Sequence, residues 1–254
     1  MQSIKLRCAL VLGFLAAPAG VAAQCIECTQ NTQAAYLGAV TRSNAMNKAY
    51  GSRQQAAKSR SNSYSVASPT AFSARSFTPP NREGASIRFS YQPSPAVRRE
   101  AQAALLQRLQ SNNPDAARAL GEQLRSNDFS KIYSGLTSPF GLRDDDAADV
   151  LAAYTALGYL IATGAPDPSP AAVRSLRNQI APKLAANAQL NAPGARASLA
   201  EELKLLFVTL HAGWQGARRD GSLRQYSDAT AQVFKGQGTD MRALRLTNAG
   251  FVAR

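Results

Sequence analysis

Four groups of residues in this sequence are of types that can do chemistry. The first is a pair of thiols in Cys25-Ile26-Glu27-Cys28, and the second is a run of carboxylates at Asp144, Asp145, Asp146 and Asp149. The third is His211, the only histidine. The fourth is a series of cations that includes Arg42, Lys48, Arg53, Lys58 and Arg60, in a stretch from Thr29 to Arg82 without a single acidic residue.

Each chemistry sets conditions that the sequence either meets or fails. Two thiols at this spacing are redox-active where the first opens a helix after a strand. Here a polar stretch follows, so a passive disulfide of Cys25 and Cys28, within one chain or between two, is expected in an oxidising compartment. A zinc site needs four ligands, and His211 is too far along the chain to complete one from sequence context. Calcium loops space their carboxylates through a glycine-containing turn, which the aspartate run lacks. Aspartates at the start of an apolar helix are favourable by roughly 0.3–1 kcal/mol each, and their oxygens accept from free backbone N–H groups. They therefore read as helix caps, with no metal assigned.

A general-base role for His211 would require an orienting carboxylate and a nucleophile. No Gly-x-Ser-x-Gly, His-Glu-x-x-His, Ser-x-x-Lys or phosphate-loop pattern supplies them. His211 reads as a packed or boundary residue, and neither a catalytic residue nor a cofactor is assigned. The cations Arg42, Lys48, Arg53, Lys58 and Arg60 suit a polyanion, and the interleaved Tyr36, Tyr50, Tyr64, Phe72 and Phe77 could stack on sugars or bases. The expected partner is a protein or an anionic envelope polymer. Nucleic acid is less favoured because no RNA-binding signature is present. A solvated linker accounts for the same composition.

These groups sit on a chain of 254 residues with a formal net charge of +13. Residues 1–23 read as a signal peptide: Lys5 and Arg7, an apolar core from Cys8 to Leu15, then Val21-Ala22-Ala23. Cleavage between Ala23 and Gln24 predicts a periplasmic or secreted protein. It also removes two positive charges, Lys5 and Arg7, taking +13 to +11. Pro18 and Gly20 break the apolar run, so no transmembrane span is expected after cleavage. Residues 24–85 read as a disordered cationic tether, because Asn44 to Ser68 has few large aliphatic side chains to offset the entropy of ordering.

Residues 86–254 read as a helical bundle domain. Its organising element is Asp145 to Gly164, which has no charge after Asp149, no proline, and apolar residues on nearly every face. That is the pattern of a helix buried on several sides. Ala148, Ala152, Ala156 and Gly158 would let neighbours approach closely. Ser86 to Tyr91 alternates as a short strand would. Ser94-Pro95 and Asn113-Pro114 start helices with inward stripes of Val97, Ala101, Leu105 and Leu109, and of Ala117, Leu120 and Leu124. Phe129, Ile132, Tyr133 and Leu136 recur at helical spacing. Ser169-Pro170 opens a helix that Pro182 should kink or split. Asn191 to Gly194 reads as a loop, and Ser198-Leu199-Ala200-Glu201 as a capping box. The box precedes the strongest stripe, Leu199, Leu203, Leu206, Phe207, Leu210 and Trp214. Gly213, Gly216 and Gly221 end that helix, and Ser222 caps a last one. An apolar tail follows that should dock on the bundle.

The order of these features resembles a family of uncharacterised secreted bacterial helical proteins. The likeness is carried by Ser94-Pro95-Ala96-Val97-Arg98-Arg99, by Gly141-Leu142-Arg143-Asp144-Asp145-Asp146, and by Leu246-Thr247-Asn248-Ala249-Gly250-Phe251. It spans about Ser86 to the C-terminus and implies no activity.

The expected fold is thus all-α: a bundle of about five or six helices, with a disordered basic segment and a short strand before it. The expected function is a non-enzymatic, exported binding or assembly protein. Two rivals make distinct demands. An envelope hydrolase would need His211 in a cleft within hydrogen-bond reach of a carboxylate, and a carrier of a small apolar ligand would need an enclosed cavity beside Tyr154, Tyr159 and Trp214.

Overall fold

The computed structural model describes residues 82–254. The signal peptide, Cys25 and Cys28, and the cations Arg42, Lys48, Arg53, Lys58 and Arg60 lie outside the described residues. Eight α-helices and one hairpin follow: α1 (Arg82–Ser86), α2 (Pro95–Asn112), α3 (Pro114–Ser126), α4 (Phe129–Thr137), α5 (Ala147–Thr163), α6 (Pro170–Ala185), α7 (Pro193–Asp220), α8 (Leu223–Gly236), β1 (Leu244–Thr247) and β2 (Gly250–Ala253). The chain is a helical bundle.

The apolar rod is α5, and α6, α7 and α8 pack around it. Every residue from Ala147 to Ala162 is buried. Asp146 caps its start, with the carboxylate accepting from the N–H groups of Ala148 and Asp149. Gly164 ends it in the left-handed conformation, φ 65°, which a side chain would strain. Small residues on the rod act as sockets. A Cβ on Gly158 would lie 2.1 Å from Phe234 Cε2, so the ring of α8 lies directly against the backbone of α5. Tyr154 packs on the same Phe234 ring, with centroids 5.2 Å apart.

Helices α2 and α3 pair with each other, and α2 also packs on α7. Ser94 and Asn113 cap them through side-chain oxygens, each with proline at the first helical position. Along α4, Phe129 and Tyr133 are buried, but Ile132 faces outward with 37% exposure.

The structure corrects several boundaries. The expected strand at Ser86–Tyr91 is extended backbone making one isolated bridge, Ser90 to Asp146, and Arg82–Ser86 before it is helical. Among the described residues, helix packed on the bundle is therefore present from Arg82, inside the segment read as tether. Pro182 does not split α6, which runs unbroken to Ala185. The proline sits in the last turn, and the carbonyl it leaves without an i+4 donor, that of Asn178, is where Gly84 packs, with a virtual Cβ 2.1 Å away. Ser198 is not a cap. Pro193 at the first helical position starts α7 six residues earlier, and the helix continues through Gly213 and Gly216 to Gly221. Ser222 precedes α8, but its hydroxyl bonds Asp220 rather than the helix start.

The tail folds back as an antiparallel hairpin, with Leu246 opposite Phe251. Leu244 and Phe251 are buried. Gln179 of α6 binds the free edge of β2 as a further strand would: its Oε1 accepts from Phe251 N–H at 2.7 Å and its Nε2 donates to Phe251 C=O at 3.0 Å.

Candidate functional site

Beyond Phe207, one face of α7 carries His211, Trp214, Gln215 and Arg218, at spacings of three or four residues that stack side chains in a row. On α5, Ala153, Ala156, Leu157 and Leu160 form a second row by the same rule. These rows, with Leu136 and Thr137 of α4 and the Asp167–Pro168 turn, line a cleft of about 270 Å³. The alanines are the reason for the space: a leucine at either position would reach into it. The lining is mainly apolar below and polar at Thr137, Asp167, His211, Gln215 and Arg218.

His211 is half-buried, and its Nε2 lies 3.3 Å from Gln215 Nε2 one turn along. Burial lowers its pKa from the ordinary value, which favours the neutral ring. It meets Trp214 edge-on, with centroids 6.0 Å apart. No carboxylate among the described residues bonds to it, and the nearby Thr137 hydroxyl is engaged with the Tyr133 carbonyl at 2.9 Å. Arg218 lies over the Trp214 ring, 5.0 Å from its centroid, an attractive placement for a cation. The cleft therefore combines an apolar floor, an indole wall and one cation at its mouth. Tyr154 and Tyr159 are not in it. They face Phe234 and Phe251 on other sides of the rod.

The aspartate run is divided among separate partners. Asp144 accepts from Ser134, and Asp145 pairs with Arg143, whose hydrogen bonds hold the Asp145 carboxyl below its usual range. Asp146 caps α5 and also accepts from Phe89 N–H at 2.8 Å. Asp149 accepts from Arg143 N–H and from Arg177 Nε, at 2.9 and 2.7 Å. Among the described residues no group of three or more histidine, cysteine or acidic side chains is placed to hold a metal.

Two buried ionic clusters escaped the sequence reading. Arg177 lies on the Val173–Ile180–Leu184 face of α6, only 4% exposed. Besides Asp149, it donates to the carbonyls of Gly84 and Ile87. A charge on an apolar stripe was the available signal. The second cluster joins Glu201 to Lys204 at 2.9 Å, both on α7. The Lys204 ammonium lies 5.4 and 5.7 Å from the Tyr91 and Tyr133 ring centroids. The Tyr91 hydroxyl lies 2.7 Å from the Asp144 carbonyl and 3.0 Å from Glu201. Burial, then the Glu201 charge, pushes the Tyr91 phenol well above its usual range. Both clusters fasten the 84–91 segment, the end of α1 and the extended stretch after it, to the bundle and leave the cleft as the candidate site.

Comparison of the chain with protein-family models, with curated proteins and with solved structures finds no match. Of the residues singled out in the sequence, the structure brings His211 and Trp214 to one cleft. It sends the four aspartates to structural roles. Ala153, Gln215 and Arg218 enter the site without having been singled out for it, and Ala156 had been read only as a point of close helix approach. Their i, i+3, i+4, i+7 rows were visible, but which helix face stays uncovered is a property of the packing.

Proposed function

We propose that this is an exported binding protein whose helical domain holds a small, largely apolar ligand in the cleft between α4, α5 and α7. The observation that carries this reading is the cleft itself: about 270 Å³, floored by the alanines of the most deeply buried helix and walled by Trp214. Ligand sites are concave, mostly apolar, and carry a few polar groups that orient the occupant. The imidazole without a bonded carboxylate favours binding over hydrolysis. Export is supported by residues 1–23, read as a signal peptide.

Trp214 is the only tryptophan in the chain, so its fluorescence reports on the cleft alone. Titration with 1-octanol is expected to shift its emission, and Ala156→Leu, which fills the floor, is expected to abolish the shift while retaining the helical circular dichroism. Should Ala156→Leu fail to fold, Leu136→Trp narrows the cleft from its half-buried side, with binding then read by calorimetry. An unchanged emission, or undiminished binding in the filled variant, would remove the reading.

A second part of the proposal concerns residues 24–81. Six basic and no acidic residues lie from Thr29 to Asn81, which would hold the domain against an anionic envelope polymer through a screened, sequence-independent attraction. Replacing Arg42, Lys48, Arg53, Lys58 and Arg60 by glutamine is expected to weaken the mature protein's binding to lipopolysaccharide severalfold in 20 mM salt and hardly at all in 500 mM, measured by co-sedimentation. Equal binding by both proteins at low salt would end this role.

A further inference from the structure

We propose that the occupant of the cleft is an amphiphile with a single anionic head, which sits on Arg218 while its chain lies over Ala153 and Ala156. The inference rests on the cleft being a ligand site and adds the chemistry of the ligand.

Arg98, Arg108, Arg143, Arg177 and Arg242 each pair with a carboxylate, while others such as Arg196 and Arg254 bond only backbone carbonyls; what sets Arg218 apart is its place at the cleft. Arg218 lines the cleft, is exposed, and pairs with no carboxylate among the described residues. Its guanidinium is held over Trp214 at 5.0 Å. A guanidinium held over a ring is partly ordered before a ligand arrives, which reduces the entropy lost on binding. Two further groups share its helix face. The Gln215 amide can donate, and the neutral imidazole of His211 can donate or accept according to tautomer. These groups suit a head that accepts hydrogen bonds.

Asp167 is the one carboxylate in the lining. It forms no ion pair with Arg218, so it does not cancel that charge by contact, and it would repel a second negative charge on the ligand. One anionic centre is therefore favoured over two. Size sets the remainder. At about 30 Å³ per water, the cleft holds the equivalent of roughly nine waters. That suits a chain of about eight carbons with its head at the rim. The apolar floor excludes a sugar phosphate or a free inorganic anion as the main occupant, since neither would cover it.

The test compares three probes of equal chain length by calorimetry at pH 7.5 on the mature protein: octanoate, 1-octanol and octylamine. Octanoate is expected to bind about tenfold more tightly than octanol, the scale of one charge-assisted hydrogen-bonded contact. Arg218→Gln is expected to bring octanoate down to the level of octanol and to leave octanol unchanged. Arg218 is exposed, so this variant should fold, and its octanol affinity verifies an intact cleft. Equal affinity for octanoate and octanol in the unaltered protein would overturn the assignment of the head. So would tightest binding of octylamine, or a preference for octanoate that survives Arg218→Gln. If none of the three binds, the ligand-site reading itself falls, and the head assignment with it.

Discussion

Replacing Arg177 by alanine is expected to cost about 3–5 kcal/mol of folding stability, the typical loss when one partner of a buried ion pair is removed. The guanidinium is buried on α6 and bonds Asp149 Oδ1 at 2.7 Å, and it lies 3.6 Å from Asp146 Oδ1. Taking it away leaves two buried carboxylates close together with no cation between them. It also strips the donors from the carbonyls of Gly84 and Ile87, so the 84–91 segment loses an anchor. The loss should be read by urea denaturation followed by circular dichroism. The double variant Asp149→Asn/Arg177→Met should recover part of it, because the uncompensated charge is then gone. Arg177→Lys should be intermediate at best, since an ammonium cannot fork to Asp149 and two carbonyls at once. A loss below about 1 kcal/mol in Arg177→Ala would place this pair with ordinary surface pairs and refute its role.

Gly158→Ala is the second large effect, and two principles disagree about its sign. By helix propensity alone, alanine inside a helix should gain about 1 kcal/mol over glycine. The structure reverses that expectation. The new methyl would stand 2.1 and 2.2 Å from Cε2 and Cζ of Phe234. That ring is 4% exposed and is backed by Tyr154, so it has little room to retreat. Overpacking of a well-filled core costs about 1–3 kcal/mol, and here it should outweigh the propensity gain. The melting temperature of Gly158→Ala should fall, and Gly158→Ala/Phe234→Leu should restore part of it. A rise in melting temperature for the single variant would show that α8 can shift off the rod at little cost.

The contact of Phe234 with Gly158 is of a kind that a sequence does not disclose. The rod was visible because burial on all sides leaves a composition that admits no other address: sixteen consecutive residues with one charge, at the capped end. The caps Ser94, Asn113 and Ser169 were visible because a side-chain oxygen followed by proline is a local device. Pro182 and Ser198 misled for the same reason. Each is a local signal that the surrounding packing overrides, one by placing the proline in a last turn and the other by an earlier start at Pro193. The hairpin was missed although Thr247-Asn248-Ala249-Gly250 between Leu246 and Phe251 carries a turn signature.

The sequence by itself determined the class of fold, the central helix, and most inward stripes, because these depend on the periodicity of one segment at a time. Only the tertiary structure decided that Arg177 is a buried tie, that Phe234 occupies the socket of Gly158, and that α4, α5 and α7 leave an unfilled cleft at His211 and Trp214. Each of these depends on which residues from distant segments meet, and an unfilled volume belongs to no single segment.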